Sequence, residues 1–134
     1  MISIAISAVQ VLTICIMGLF APVEISSHAG ALVVESPLLE VTDQYGREKD
    51  ISFHVNGIIF GAFDEHEYGH YLQQRKIGNR AYYLTVAVPS VVVNILQILS
   101  LPFGGPPDSF DYYLLPWEYD ATILGNQWRT QHAR

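Results

Sequence analysis

The chain is poor in basic residues and in cysteine, and each shortage argues against a class of function. Only seven of 134 residues are Lys or Arg, the first of them Arg47, and 13 Asp and Glu bring the net charge to −6. No basic stripe exists to neutralise a phosphate backbone, which argues against nucleic acid as a partner. A single cysteine, Cys15, leaves no disulfide framework and no cysteine-based zinc site. Lying inside an apolar run, it reads as a small buried core residue. Internal repeats and low-complexity tracts are missing, and the length suits one core rather than two.

What the chain has instead is apolarity. Half its residues are hydrophobic and 15% are charged, few for a soluble domain. MISIAISAVQVLTICIMGLF, Met1 to Phe20, carries no charge and matches the roughly 20 residues that span a bilayer core. Three readings of it stay open: a membrane helix, a buried core helix, or a signal peptide that lacks the usual positive n-region. Residues 1–22 are therefore set apart as an apolar helix, anchor or core, from a domain at 23–134. A second uncharged run, AYYLTVAVPSVVVNILQILSLPF, covers Ala81 to Phe103.

Between these runs the pattern changes twice. APVEISSHAG reads as loop, and GALVVESPLLEVT as one or two short strands broken by Pro37. The charged DQYGREKD closes a hairpin. ISFHVNGIIF reads as one strand with a bulge at Gly57. From Ala62 the spacing is helical: Phe63 to Ile77 ending at Gly78, then about 80–101 with a kink expected at Pro89, then Tyr112 or Pro116 to Gln131.

The first of these helical segments contains FDEHEYGHYLQQ. At 3.6 residues per turn His66 and His70 lie one above the other on a helix face, where two imidazoles can share a zinc ion at about 2.0–2.1 Å each. Glu67, displaced around the helix, is placed to take a proton from a zinc-bound water. Gly69 costs about 1 kcal/mol in a helix, and close approach of another backbone would account for it. For a third ligand the candidates are His28, His54, His132 and the carboxylates. Glu118 in LLPWEYDATILG is favoured because Ala121, Thr122 and Gly125 give its face small residues. An up–down–up path of three helices brings His66 and Glu118 to one level. Tyr112, Tyr113, Tyr68 and His54 are candidates for polarising a substrate carbonyl. Packing is the simpler account of the tyrosines, and a surface position of His54.

Taken together, GIIFG, HEYGHYLQQ, Gly78, Tyr82-Tyr83-Leu84, Pro89-Ser90 and WEYDATILG resemble small bacterial membrane-associated zinc metallopeptidases of the HExxH, gluzincin-like type, which are related to toxin-like metallopeptidase domains. The family pattern reads approximately H-E-[YF]-G-H-x-x-Q, then Pro-Ser in an apolar helix, then aromatic-Glu-x-x-Ala-[TN]-x-x-Gly. The likeness spans about Gly57 to Gly125. It implies His66, His70 and Glu118 as ligands and Glu67 as catalytic carboxylate, and it gives Asp120 no role. The fold expected is α+β, a mainly helical zincin-like bundle with a small antiparallel sheet or hairpin ahead of the HExxH helix.

The expected function is zinc-dependent hydrolysis of a peptide or protein, with a free edge of ISFHVNGIIF available to an extended substrate. The alternative is a metal-binding, non-hydrolytic membrane-associated protein, and a third reading is an apolar helical membrane protein without metal. Arg75, Lys76 and Arg80 precede the second apolar run, which would put its start on the cytoplasmic side. If that run crossed a bilayer with the HEYGH helix outside, Glu118 would end on the wrong side. The expectation is therefore a compact bundle that buries the run and is held at a membrane by the first helix, rather than a protein secreted after signal cleavage.

Overall fold

Alternation in two short apolar strands places the core. In β2 (Ala31–Glu35), Ala31 and Val33 point to one side and Leu32 and Val34 to the other. In β6 (Ile58–Phe60), Ile59 points one way, Ile58 and Phe60 the other. Such two-sided burial is the strand pattern of a sheet covered on both faces. The structure, a computed structural model, describes residues 8–42, 46, 48–107 and 109–133, with 8, 9 and 48–50 described by backbone alone. The start of the expected first helix (1–7) and part of the expected charged turn (43–45 and 47) lie outside them.

A four-stranded sheet runs β1–β2–β6–β5, where β1 is Glu24–His28 and β5 is Phe53–Val55. The pair β1–β2 is antiparallel, β2–β6 parallel and β6–β5 antiparallel. The α+β expectation holds, with a mixed sheet in place of an antiparallel one. The reason lies in Asn56-Gly57. Both take positive φ, 48° and 82°, which is the backbone of a tight hairpin turn. ISFHVNGIIF is thus two strands folded back on each other, and β6 emerges parallel to β2. β1 lies where a loop was expected; all five of its residues are exposed, so it carries no hydrophobic alternation to read. A separate antiparallel pair joins β3 (Glu40–Thr42) to β4 (Glu48–Asp50), the hairpin expected there.

Helix α1 (Ala8–Phe20) covers one face of the sheet. Met17 is buried with Val34, Ile58 and Phe60, and Ile14 packs alongside. Gln10 donates from Nε2 to the Val55 carbonyl at 2.8 Å. Among the described side chains of α1 it is this 10–14–17 stripe that faces inward, so Cys15, one residue off it, is exposed rather than buried as expected. The other face of the sheet carries α2 (Glu65–Ile77), whose Tyr68 and Tyr71 pack on Ala31, Val33 and Ile59. Helix α5 (Pro116–His132) lies against α2 and adds Trp128 to that core.

Between α2 and α5 the chain forms one continuous helix, Asn79–Phe103, of 25 residues, whose most apolar 18-residue window has a mean hydropathy of 2.0. It comprises α3 (Asn79–Tyr82), a π turn (Tyr83–Ala87), α4 (Val88–Ser100) and a closing 3₁₀ turn (Leu101–Phe103). Pro89 offers no N–H to the carbonyl four residues back, and the π turn lies just ahead of it, the Val88 N–H reaching back five residues to Tyr83. This helix is long and apolar enough to cross a membrane, and only 6% of its most apolar window is buried. The expectation of a bundle that hides this run is therefore wrong. Within it only Tyr82 and Val86 are buried, and α4 buries no residue at all.

Candidate metal centre

Two glycines set the distance between α2 and α5. A Cβ on Gly69 would stand 1.9 Å from the Ala121 carbonyl oxygen, and one on Gly125 would stand 1.9 Å from that of Glu65. The helices therefore touch backbone to backbone at two points, as the small residues on the Glu118 face predicted. Asp64 caps α2, its Oδ1 accepting the His66 N–H at 2.8 Å and the Glu67 N–H at 3.2 Å. Satisfying these otherwise orphaned donors fixes the turn that carries a candidate ligand and the candidate base.

At this contact Glu118, 1% exposed, meets both histidines. Its Oε2 lies 3.0 Å from His66 Nε2 and 3.0 Å from His70 Nε2, and one ligand atom from each residue falls within 4.8 Å of the other two. The far side of each ring is tied. Gln73 gives both its Nε2 hydrogens away, to the Trp117 carbonyl and to Asp120 Oδ2, each at 2.8 Å. Its Oε1 must then face His70 Nδ1, 2.8 Å away, and that nitrogen must be the donor. Thr122 donates to the Glu118 carbonyl at 3.0 Å and takes His66 Nδ1 at 2.9 Å. Both Nε2 atoms are left as acceptors aimed at a carboxylate oxygen.

Three acceptors facing one another repel unless positive charge lies between them. A proton is one solution: burial pulls His70 down, but the hydrogen bond and charge of Glu118 outweigh it and raise it. A divalent metal is the other, and two imidazole nitrogens with one carboxylate oxygen form a ligand set suited to zinc. The second oxygen of Glu118 is occupied, Oε1 accepting from Ser90 Oγ at 2.5 Å and Tyr112 Oη at 2.7 Å. Burial favours the neutral acid, yet the hydrogen bonds of His66, His70, Ser90 and Tyr112 hold this carboxyl well below the usual range. It is a fixed anion.

A cavity of about 620 Å³ opens beside the cluster, lined by Glu67, Tyr113, Ser90 and Asn94 and flanked by β5. Burial pushes Glu67 up to about 7, against the pull of His70 and His66. Of the four expected carbonyl-polarising residues, Tyr113 stands edge-on to His66 at 5.2 Å and lines the cavity. Tyr112 is pushed up to about 12, by burial and then by Glu118, and its one hydroxyl hydrogen goes to Glu118. His54 is buried, not on the surface as expected; its Nε2 accepts the Gly57 N–H at 3.1 Å and its Nδ1 meets the Tyr82 hydroxyl at 3.1 Å. Tyr68 donates to the Ala29 carbonyl, away from the cluster.

The residues that orient the ligands, Gln73, Asp120, Thr122 and Ser90, had no such role in the sequence reading. The spacing of Gln73, one turn after His70, was the available signal. Comparison of the chain with family models, curated proteins and solved structures finds no match.

Proposed function

We propose that the protein is a zinc-dependent peptidase, active at a membrane, in which His66, His70 and Glu118 hold the metal and Glu67 is the general base. The observation that carries this reading is the convergence of two imidazole acceptors and a carboxylate beside a second carboxylate in one cavity. A zinc ion bound there would act as a Lewis acid toward water and the scissile carbonyl. The chain supplies the rest. Glu67, with its affinity for a proton raised to near neutral, takes a proton from the attacking water and returns it to the leaving amine. Of the three tyrosines on the cavity wall, Tyr112 gives its hydroxyl to Glu118 and Tyr82 meets His54, so Tyr113 is assigned to the developing oxyanion.

The substrate lies extended along β5, which is an edge of the sheet and flanks the cavity. The membrane assignment is supported by the exposed apolar helix Asn79–Phe103.

Metal content and turnover of three purified proteins test the reading together. Wild type is expected to hold about one zinc per chain. Glu118→Ala should lose most of it. Glu67→Gln should keep the metal and lose hydrolysis of a peptide library by at least about 100-fold. An active Glu67→Gln protein refutes the mechanism. Zinc without turnover in wild type points to the non-hydrolytic metal-binding alternative.

A further inference from the structure

The apolar helix and the cluster are joined by a bond that limits how the protein can meet a membrane. Ser90 stands near the middle of the 25-residue helix and donates to Glu118 Oε1 at 2.5 Å. If Asn79–Phe103 crossed a bilayer, the cluster would sit at the midplane. Helices α2 and α5 would be drawn in with it, along with Glu65, Arg75 and Asp120. Charged groups at that depth are costly, and the open edge of β5 would leave backbone groups unsatisfied in hydrocarbon. The path beyond the helix adds to this. After Phe103 the chain turns back to Tyr112, whose hydroxyl meets Asn94 Nδ2 at 3.3 Å. Both ends of the excursion lie on the side of the cluster.

Helix α4 is two-faced. Ser90, Asn94 and Gln97 form a polar stripe along the cavity wall. Its other face is apolar and uncovered: Val88, Val92, Leu96 and Leu99 are 48–62% exposed, and Phe103 beyond it is 90% exposed. At the other end of the long helix stand Arg75, Lys76 and Arg80, all exposed, in a chain whose net charge is −6. An apolar face ending in a cluster of cations matches hydrocarbon bordered by anionic headgroups. A second copy of this chain would cover the apolar face but offers the cations no such layer.

We infer that α4 lies in the plane of an anionic bilayer, its outer face sunk into one leaflet and its polar stripe roofing the cleft, so that the cleft opens at the lipid surface. The substrate class that follows is an extended peptide segment presented at that surface. This last step rests on the peptidase reading; the seating does not.

The test uses purified full-length protein added to preformed vesicles. Wild type should bind 3:1 phosphatidylcholine–phosphatidylglycerol vesicles at least 10-fold more tightly than phosphatidylcholine alone. Arg75→Gln/Lys76→Gln/Arg80→Gln should erase that preference. Leu96→Ser/Leu99→Ser should weaken binding at least 10-fold with zinc content unchanged. In a Cys15→Ser background, Asn79→Cys and Ser109→Cys should both react with a membrane-impermeant maleimide from outside. Protection of only one of them means a spanning helix and overturns the inference. Unaltered vesicle binding by the leucine variant overturns it too, as does a stable dimer with no vesicle binding. Vesicle binding with the expected topology but no peptide hydrolysis leaves the seating standing and removes the peptidase reading.

Discussion

At the scale of single residues, Gln73 does the most with the least visibility. Its two donated hydrogen bonds decide which way its amide points, and that in turn decides which nitrogen of His70 is free. Orienting partners of this kind are typically worth 10–100-fold in metal affinity. Gln73→Leu, similar in volume, is expected to weaken zinc binding by about that factor while the apo-protein stays folded, as titration against a competing chelator would measure. Unchanged affinity would remove Gln73 from the site. The sequence made His66, Glu67, His70 and Glu118 legible because their chemistry depends on local spacing and on residue type. It gave no role to Gln73, Ser90 or Asp120: the spacing of Gln73 from His70 is local, but its hydrogen bond to Asp120 crosses 47 residues and has no local pattern.

Among elements, the contact of α2 with α5 was legible and the course of β5 and β6 was not. Gly69 and the small face of α5 announced close packing, since each glycine would otherwise be a cost to its helix. Asn-Gly carried an equally physical signal, but the β-branched residues around it read as a single strand. Gly69→Ala tests the packing. The new methyl collides with backbone, which cannot swing aside as a side-chain tip would. Overpacking of this kind costs about 1–3 kcal/mol, outweighing the gain in helix propensity. Thermal melts should show a lower midpoint and metal titration a weaker site. A melting temperature at or above wild type would mean that the helices can part without consequence.

For the whole molecule, stability should fall on the acid side of neutrality, in part through His54. Burial and then the charge of His70 lower its folded pKa to about 3 from 6.5. Between those values the unfolded chain binds a proton that the folded chain refuses, so stability rises with pH across the window and is lost as pH falls through it. Each pH unit is worth up to about 1.4 kcal/mol. His54→Gln retains an acceptor for the Gly57 N–H and removes the titration. Denaturant melts of the metal-free protein between pH 7 and pH 5 should then show a shallower decline than wild type, and identical slopes would refute the assignment. On the same scale, His70 and Glu118 lie 48 positions apart, and the entire Asn79–Phe103 helix falls between them. A metal joining the two makes that stretch a closed ring. For a ring of this length the length-dependent part of the closure entropy is about 3 kcal/mol. A metal bound there would therefore act also as a clasp, adding to the Ser90–Glu118 bond that ties this segment to the body of the protein.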